Sequence, residues 1–132
     1  MIASRTAALA ALALVATVAS AEPPLFLKRQ VAAGQEVLVR GFAEFGADCV
    51  LKRVQTVAVA LPPSGGRIDV RPGNVVIGSN WVGGGHCEGT TLPGVKVFYV
   101  PAAGFTGTDR FSLDIGYSVK RVVRAEVEVV VR

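Results

Sequence analysis

The residues with chemical potential in this chain gather in two short stretches, Asp48-Cys49 and His86-Cys87-Glu88. Two thiols, the only imidazole of the chain and neighbouring carboxylates could complete a tetrahedral zinc site, or pair a cysteine nucleophile with a histidine base. The cysteines stand 38 positions apart, however, without the short paired spacing of zinc ligands. An even pair in an exported protein reads instead as one disulfide, Cys49–Cys87, which withdraws both sulfurs from ligand and nucleophile chemistry. Trp81, the only tryptophan, has two readings: a core residue between sheets, or a contact residue on a loop with His86 and Glu88.

Other catalytic devices are missing. The triple glycine 83–85 is followed by no phosphate-loop lysine. A serine triad would have to use His86, and no nucleophile-elbow pattern exists. The acids alternate outward along strand-like runs rather than converging as a glycosidase pair must. No enzyme activity, no metal and no cofactor is expected.

The elements that must position these residues are strands. Leu25–Val31, Val37–Ala43, Cys49–Leu61, Arg67–Arg71, Lys96–Val100, Phe111–Ile115 and Val122–Val131 show the alternation or β-branched richness of half-buried strands. Leu25–Val31 is expected at an edge, guarded by Lys28 and Arg29. Cys49–Leu61, nearly uncharged over its second half, is expected to be central. Pro62-Pro63-Ser64-Gly65-Gly66 and Pro72-Gly73-Asn74 read as turns, and Gly78–Gly94 as an irregular, glycine-rich segment. Seven or eight short strands with no helical period predict an all-β, antiparallel sandwich.

A turn-rich corner joins two of these strands: Tyr99, Pro101, Gly104, Phe105, Gly107, Asp109 and Phe111. Pro101 and the glycines stop one strand, Phe105 plugs the corner, and Asp109 is expected to accept hydrogen bonds from its amides.

Residues 1–21 read as a secretion signal. Arg5 supplies the positive region, Ala7–Val18 the apolar run, and Ala19-Ser20-Ala21 the small-residue cleavage site before Glu22. The expected domain is 22–132, periplasmic or secreted, with no membrane span after cleavage. Without Arg5 the net charge falls from +4 to +3, and its scattered bases suit a solvated sheet face. No aromatic-basic stripe invites nucleic acid.

Three features together resemble the bacterial immunoglobulin-like, cadherin-like repeats. These are the hairpin Leu61-Pro62-Pro63-Ser64-Gly65-Gly66-Arg67-Ile68-Asp69-Val70, the corner Tyr99-x-Pro101 with Gly104-Phe105-Thr106-Gly107-Thr108-Asp109-x-Phe111, and the closing Ala125-x-Val127-x-Val129-x-Val131 strand. They cover roughly residues 54–131, in the family's order. The chain departs from the family at Leu113, where an aromatic is usual, and at Gly65, where a histidine often stands. It also carries an extended 73–94 segment and is one domain rather than a tandem array. The resemblance implies an immunoglobulin-like sandwich with a binding or structural role in the envelope, engaging another envelope or surface protein. The alternatives are a carbohydrate-binding module that stacks a polysaccharide on Trp81, and a small hydrolase or metal-binding protein centred on His86. The resemblance carries over no metal site.

Overall fold

Period-2 patterning becomes nine strands among the described residues of a computed structural model, which are 9–16, 23–79, 81, 85–118 and 121–132. They are β1 (Leu25–Val31), β2 (Val37–Phe42), β3 (Glu44–Phe45), β4 (Leu51–Arg53), β5 (Thr56–Leu61), β6 (Gly66–Val76), β7 (Thr91–Pro101), β8 (Gly107–Ser118) and β9 (Arg121–Val131). The expected cleavage site and Glu22, together with Arg5, Gly83, Gly84 and Lys120, lie outside the described residues. Residues 9–16 are exposed and carry no regular structure. Among the described residues, no helix is long and apolar enough to cross a membrane.

The strands form a four-stranded sheet, β1-β9-β8-β5, a three-stranded sheet, β2-β7-β6, and the small pair β3-β4. All ladders are antiparallel except β1–β9, which runs parallel from Leu25↔Ala125 to Val31↔Val131. The expectation of a wholly antiparallel arrangement is thereby corrected. A parallel partner needs no hairpin when the two strands come from opposite ends of the chain. β1 does lie at a sheet edge, as its charges suggested.

The arrangement is sandwich-like because each main sheet turns one face inward. From β8 and β9 come Phe111, Leu113, Ile115, Ala125, Val127, Val129 and Val131; from β2 and β7 come Val39, Phe42, Val97 and Tyr99; Leu27 of β1 joins them. Leu113 is fully buried. Tyr99 and Phe111 stack across the sheets with ring centroids 5.9 Å apart. Phe98 points away from this core and lies under the Arg71 guanidinium, 4.2 Å from its ring centre.

Three expectations about strand limits are overturned. Cys49–Leu61 is not one strand. It divides into β4, paired with β3, and β5, paired with β8, separated by Val54-Gln55. Nor is β5 central: it is a sheet edge, with Val59 and Leu61 42% and 58% exposed. An uncharged strand signals burial only if partners flank it on both sides, and β5 has one.

Pro72-Gly73-Asn74 is no turn but the middle of the 11-residue β6, where Pro72 pairs with Val95. The edge position of β6 explains this, since a proline there leaves no partner strand without a donor. The irregular segment is also shorter than expected, because β7 begins at Thr91 and takes Leu92-Pro93-Gly94 into the ladder.

Candidate functional site

Opposite ends of the β8–β9 hairpin differ in how their buried polar groups are partnered. At one end Gly107 pairs with Val131, and at the other Ser118 pairs with Arg121. The 12 residues of β8 separate them by roughly 40 Å.

At the Ser118–Arg121 end lies a pocket of about 420 Å³. Its wall combines the start of β1, the end of β2, β3, the residue before β5, the end of β8, the start of β9 and Trp81. Arg40 reaches it from a β2 irregularity. The ladder register shifts between Leu38 and Arg40, so that Val39 and Phe42 both enter the core. Bulges of this kind re-aim the neighbouring side chain. The Arg40 guanidinium lies 4.9 Å from the Trp81 ring centre and 5.6 Å from that of Phe42. Trp81 also packs against Phe45, with centroids 6.4 Å apart.

The polar atoms of this pocket are unusual. Arg40 Nε, Glu44 Oε2 and both side-chain polar atoms of Gln55 are buried without a hydrogen-bond partner among the described residues. Gln55 is 3% exposed, so neither its donor nor its acceptor reaches bulk water. Arg40 and Glu44 form no ion pair with each other or with any described residue. Burial presses the Arg40 guanidinium below the usual arginine value; Tyr117 opposes this in part, and the Arg29 charge adds the smallest contribution, in the same direction as burial. Each unpaired buried group costs the folded state on the order of 1–3 kcal/mol. Buried polar groups are nearly always satisfied, so several left open around one cavity set this end of the hairpin apart from the other.

At the Gly107–Val131 end every such group is satisfied around one carboxylate. Asp109 is 2% exposed. Its Oδ1 accepts from Ser64 N–H (3.0 Å), Ser64 Oγ (3.3 Å) and Arg110 N–H (3.0 Å), and its Oδ2 from Gly65 N–H (2.8 Å) and the Tyr99 hydroxyl (2.7 Å). The expectation that Asp109 serves the corner's own amides needs correction. Apart from Arg110, its amide donors belong to the proline turn between β5 and β6, so it ties two turns together.

Burial pushes the Asp109 carboxyl up. The Tyr99 hydroxyl and the amides of Gly65, Ser64 and Arg110 outweigh it and hold the group below the ordinary carboxylate value. Tyr99 moves the other way, its hydroxyl raised by burial and by the carboxylate beside it. Phe105 closes the corner over Gly65, where a Cβ would stand 2.5 Å from the ring. Position 65 therefore has no room for a side chain. Gly107 takes a φ of 123°, a conformation costly for any residue with a Cβ. Pro101 is buried at the end of β7, and Gly104 has a φ of 78°.

Cys49 and Cys87 are joined in a disulfide, with Cα atoms 5.4 Å apart. Cys49 does not open a central strand. It occupies the turn between β3 and β4 with a φ of 62°. The bridge is the centre of a second small core: Ala43, Val75, Ile77, Cys87 and Leu92, with Phe45, Leu51 and Trp81 against it. Ala43, Phe45 and Trp81 also line the pocket, so the disulfide braces one of its walls.

Of the loop residues singled out from sequence, Trp81 is half-buried in that wall, while His86 and Glu88 are exposed and do not line it. The His86 Nε2–H donates to the Ala47 carbonyl over 2.6 Å. The two sulfurs and a His86 ring nitrogen lie within 4.8 Å of one another, but as a metal set they require the disulfide to be reduced first.

Compared with known proteins, the chain matches no family model, no curated protein and no solved structure.

Sequence reasoning did not single out Arg40, Glu44, Phe45, Gln55 or Tyr117 as functional. One signal was present: Arg40 is the only charge in the otherwise apolar β2, Val-Leu-Val-Arg-Gly-Phe. A lone charge in such a strand must either reach solvent or serve a site.

Proposed function

We propose that the chain is an exported, non-enzymatic immunoglobulin-like module of the bacterial envelope that binds another envelope or surface protein. Strand order supports the fold reading. With the short β3–β4 pair set aside, the seven remaining strands read A to G along the chain. They stand as A-G-F-C facing B-E-D, close to the constant-type arrangement with strand A moved beside G. The disulfide supports export, since such bonds persist in oxidising compartments.

The observation that carries the binding role is the contrast between the ends of the hairpin. One end satisfies its buried carboxylate five times over, while the other leaves buried polar atoms open around an aromatic-lined pocket. A purely structural module gains nothing from the second arrangement. The pocket end is the binding end.

Site-specific photo-cross-linking in the native envelope tests this. A photoreactive residue at Val54 or Val122, both exposed beside pocket-lining residues, yields a partner adduct, and one at the exposed Thr106 of the corner yields none. Adducts from position 106 alone, or none from 54 and 122, overturn the assignment.

Trp81 in the pocket wall favours a second reading, a polysaccharide stacked on its ring. Arg40 already covers one ring face, which leaves at most the other for a sugar. Retention on envelope polysaccharide, lost in Trp81→Ala, would favour this alternative over a protein partner.

A further inference from the structure

We propose that the pocket is a site for a small zwitterion, namely a free α-amino acid with an apolar side chain. The inference rests on the pocket end being the binding end, and adds the chemistry of what enters it. Three observations carry it. The Arg40 guanidinium and the Glu44 carboxylate line the same cavity, each with a buried atom that lacks a partner among the described residues, and they do not neutralise each other; Arg121, the other cation of the lining, lies over the Tyr117 ring, 5.1 Å from its centre. Two opposite charges held apart in one pocket are complementary to a ligand that carries both, with carboxylate to Arg40 and ammonium to Glu44. Gln55, almost completely buried behind this lining, adds a donor and an acceptor that no described residue satisfies. Phe45, Trp81 and Tyr117 supply an aromatic wall for an apolar side chain, and about 420 Å³ is ample for a ligand of that size.

A ligand with one charge leaves one of the two groups open. A simple anion satisfies Arg40 and leaves the Glu44 oxygen without a donor. An apolar ligand satisfies neither. The zwitterion alone serves both, and the buried position of the partners makes each contact worth more than it would be on the surface.

Titration of the full folded chain with L-leucine tests the proposal, followed by calorimetry and by fluorescence of Trp81, the only tryptophan. Leucinamide, which lacks the carboxylate, and N-acetyl-leucine, which lacks the ammonium, serve as comparison ligands. Leucine is expected to bind with millimolar or tighter affinity, and each comparison ligand roughly tenfold or more weakly. Arg40→Gln should abolish the preference of leucine over leucinamide while keeping that over N-acetyl-leucine. Glu44→Gln should do the reverse. A variant that merely fails to fold loses both preferences together, and the wild-type ligand comparison stands without any variant. Equal binding of all three ligands, or no binding of leucine, overturns the proposal. Partner adducts at positions 54 and 122 would in that case leave the protein-binding role intact.

Discussion

Asp109→Ala is expected to lower the stability of the folded chain by about 3–4 kcal/mol, measured by denaturant melts. The carboxylate is not one hydrogen-bond partner but the common acceptor of two turns. Its loss strands the buried Gly65 amide, closed over by Phe105, and the buried Tyr99 hydroxyl, and takes the acceptor from the half-buried Ser64 amide. Asp109→Asn keeps the volume but replaces one acceptor oxygen with a donor facing other donors, so it should recover little. The charge adds a pH signature. Its folded-state pKa lies below the ordinary carboxylate value, so its stabilisation is fully present above the unfolded value of about 3.9 and is lost as pH falls through the folded value. Wild-type stability should therefore drop in acid over that window, and the Asn variant should lack this part of the drop. Melts of equal stability for wild type and Asp109→Ala at neutral pH would remove the carboxylate from its place at the centre of this end.

Reduction of Cys49–Cys87 is expected to cost about 4 kcal/mol, because the bond closes a loop of 38 residues in the unfolded chain. That is a large share of the stability of a domain of this length. The packing around the bridge adds a functional consequence. Phe45 and Trp81 lean on the cluster that the disulfide organises, so its reduction should loosen the pocket wall while the Asp109 end stays formed. The check is a pair of measurements on the Cys49→Ala, Cys87→Ala double variant. Its melting temperature should fall by more than ten degrees, and its Trp81 emission should shift red at temperatures where it remains folded. Thiol titration of the unfolded, unreduced wild type should find no reactive thiol. Two reactive thiols would undo the argument at its root.

These two braces differ in how plainly the sequence announces them. Asp109 sits in a corner whose glycines, proline and aromatic residues are spaced by local turn chemistry, so its structural importance is readable from neighbouring residues. Its partners at Ser64 and Gly65 are 45 and 44 positions away, and no local pattern points to them. The inward residues of β8 and β9 follow from alternation, because burying one face of a strand leaves a period of two in the side chains. The misjudged strands have the opposite character. Whether Pro72 ends a strand or lies within one depends on whether another strand needs its missing donor, which is a property of the sheet order. The uncharged Thr56–Leu61 looked central because apolar residues are common in both central and uncovered edge strands.

The pocket was the least legible feature. Arg40 and Glu44 share one stretch while Gln55, Trp81 and Tyr117 come from three others, and of the five only Trp81 and the lone charge Arg40 stand out in the sequence. Gln55 stands in Leu-Lys-Arg-Val-Gln-Thr-Val, where a polar residue invites the reading of a solvated face. It is instead almost wholly buried. What makes these residues a site is the absence of partners, and partners are known only once the strands are packed.

Thermal melting of Gln55→Leu tests most directly whether the pocket is built for a ligand rather than for the fold. The substitution keeps most of the side-chain volume and removes two buried polar atoms that have no partner among the described residues. If those atoms await a ligand, the variant should be more stable than the wild type by about 1 kcal/mol, a rise of several degrees. It should also bind leucine more weakly. A variant that melts well below the wild type would show that the Gln55 amide holds the fold together, and would contradict the account.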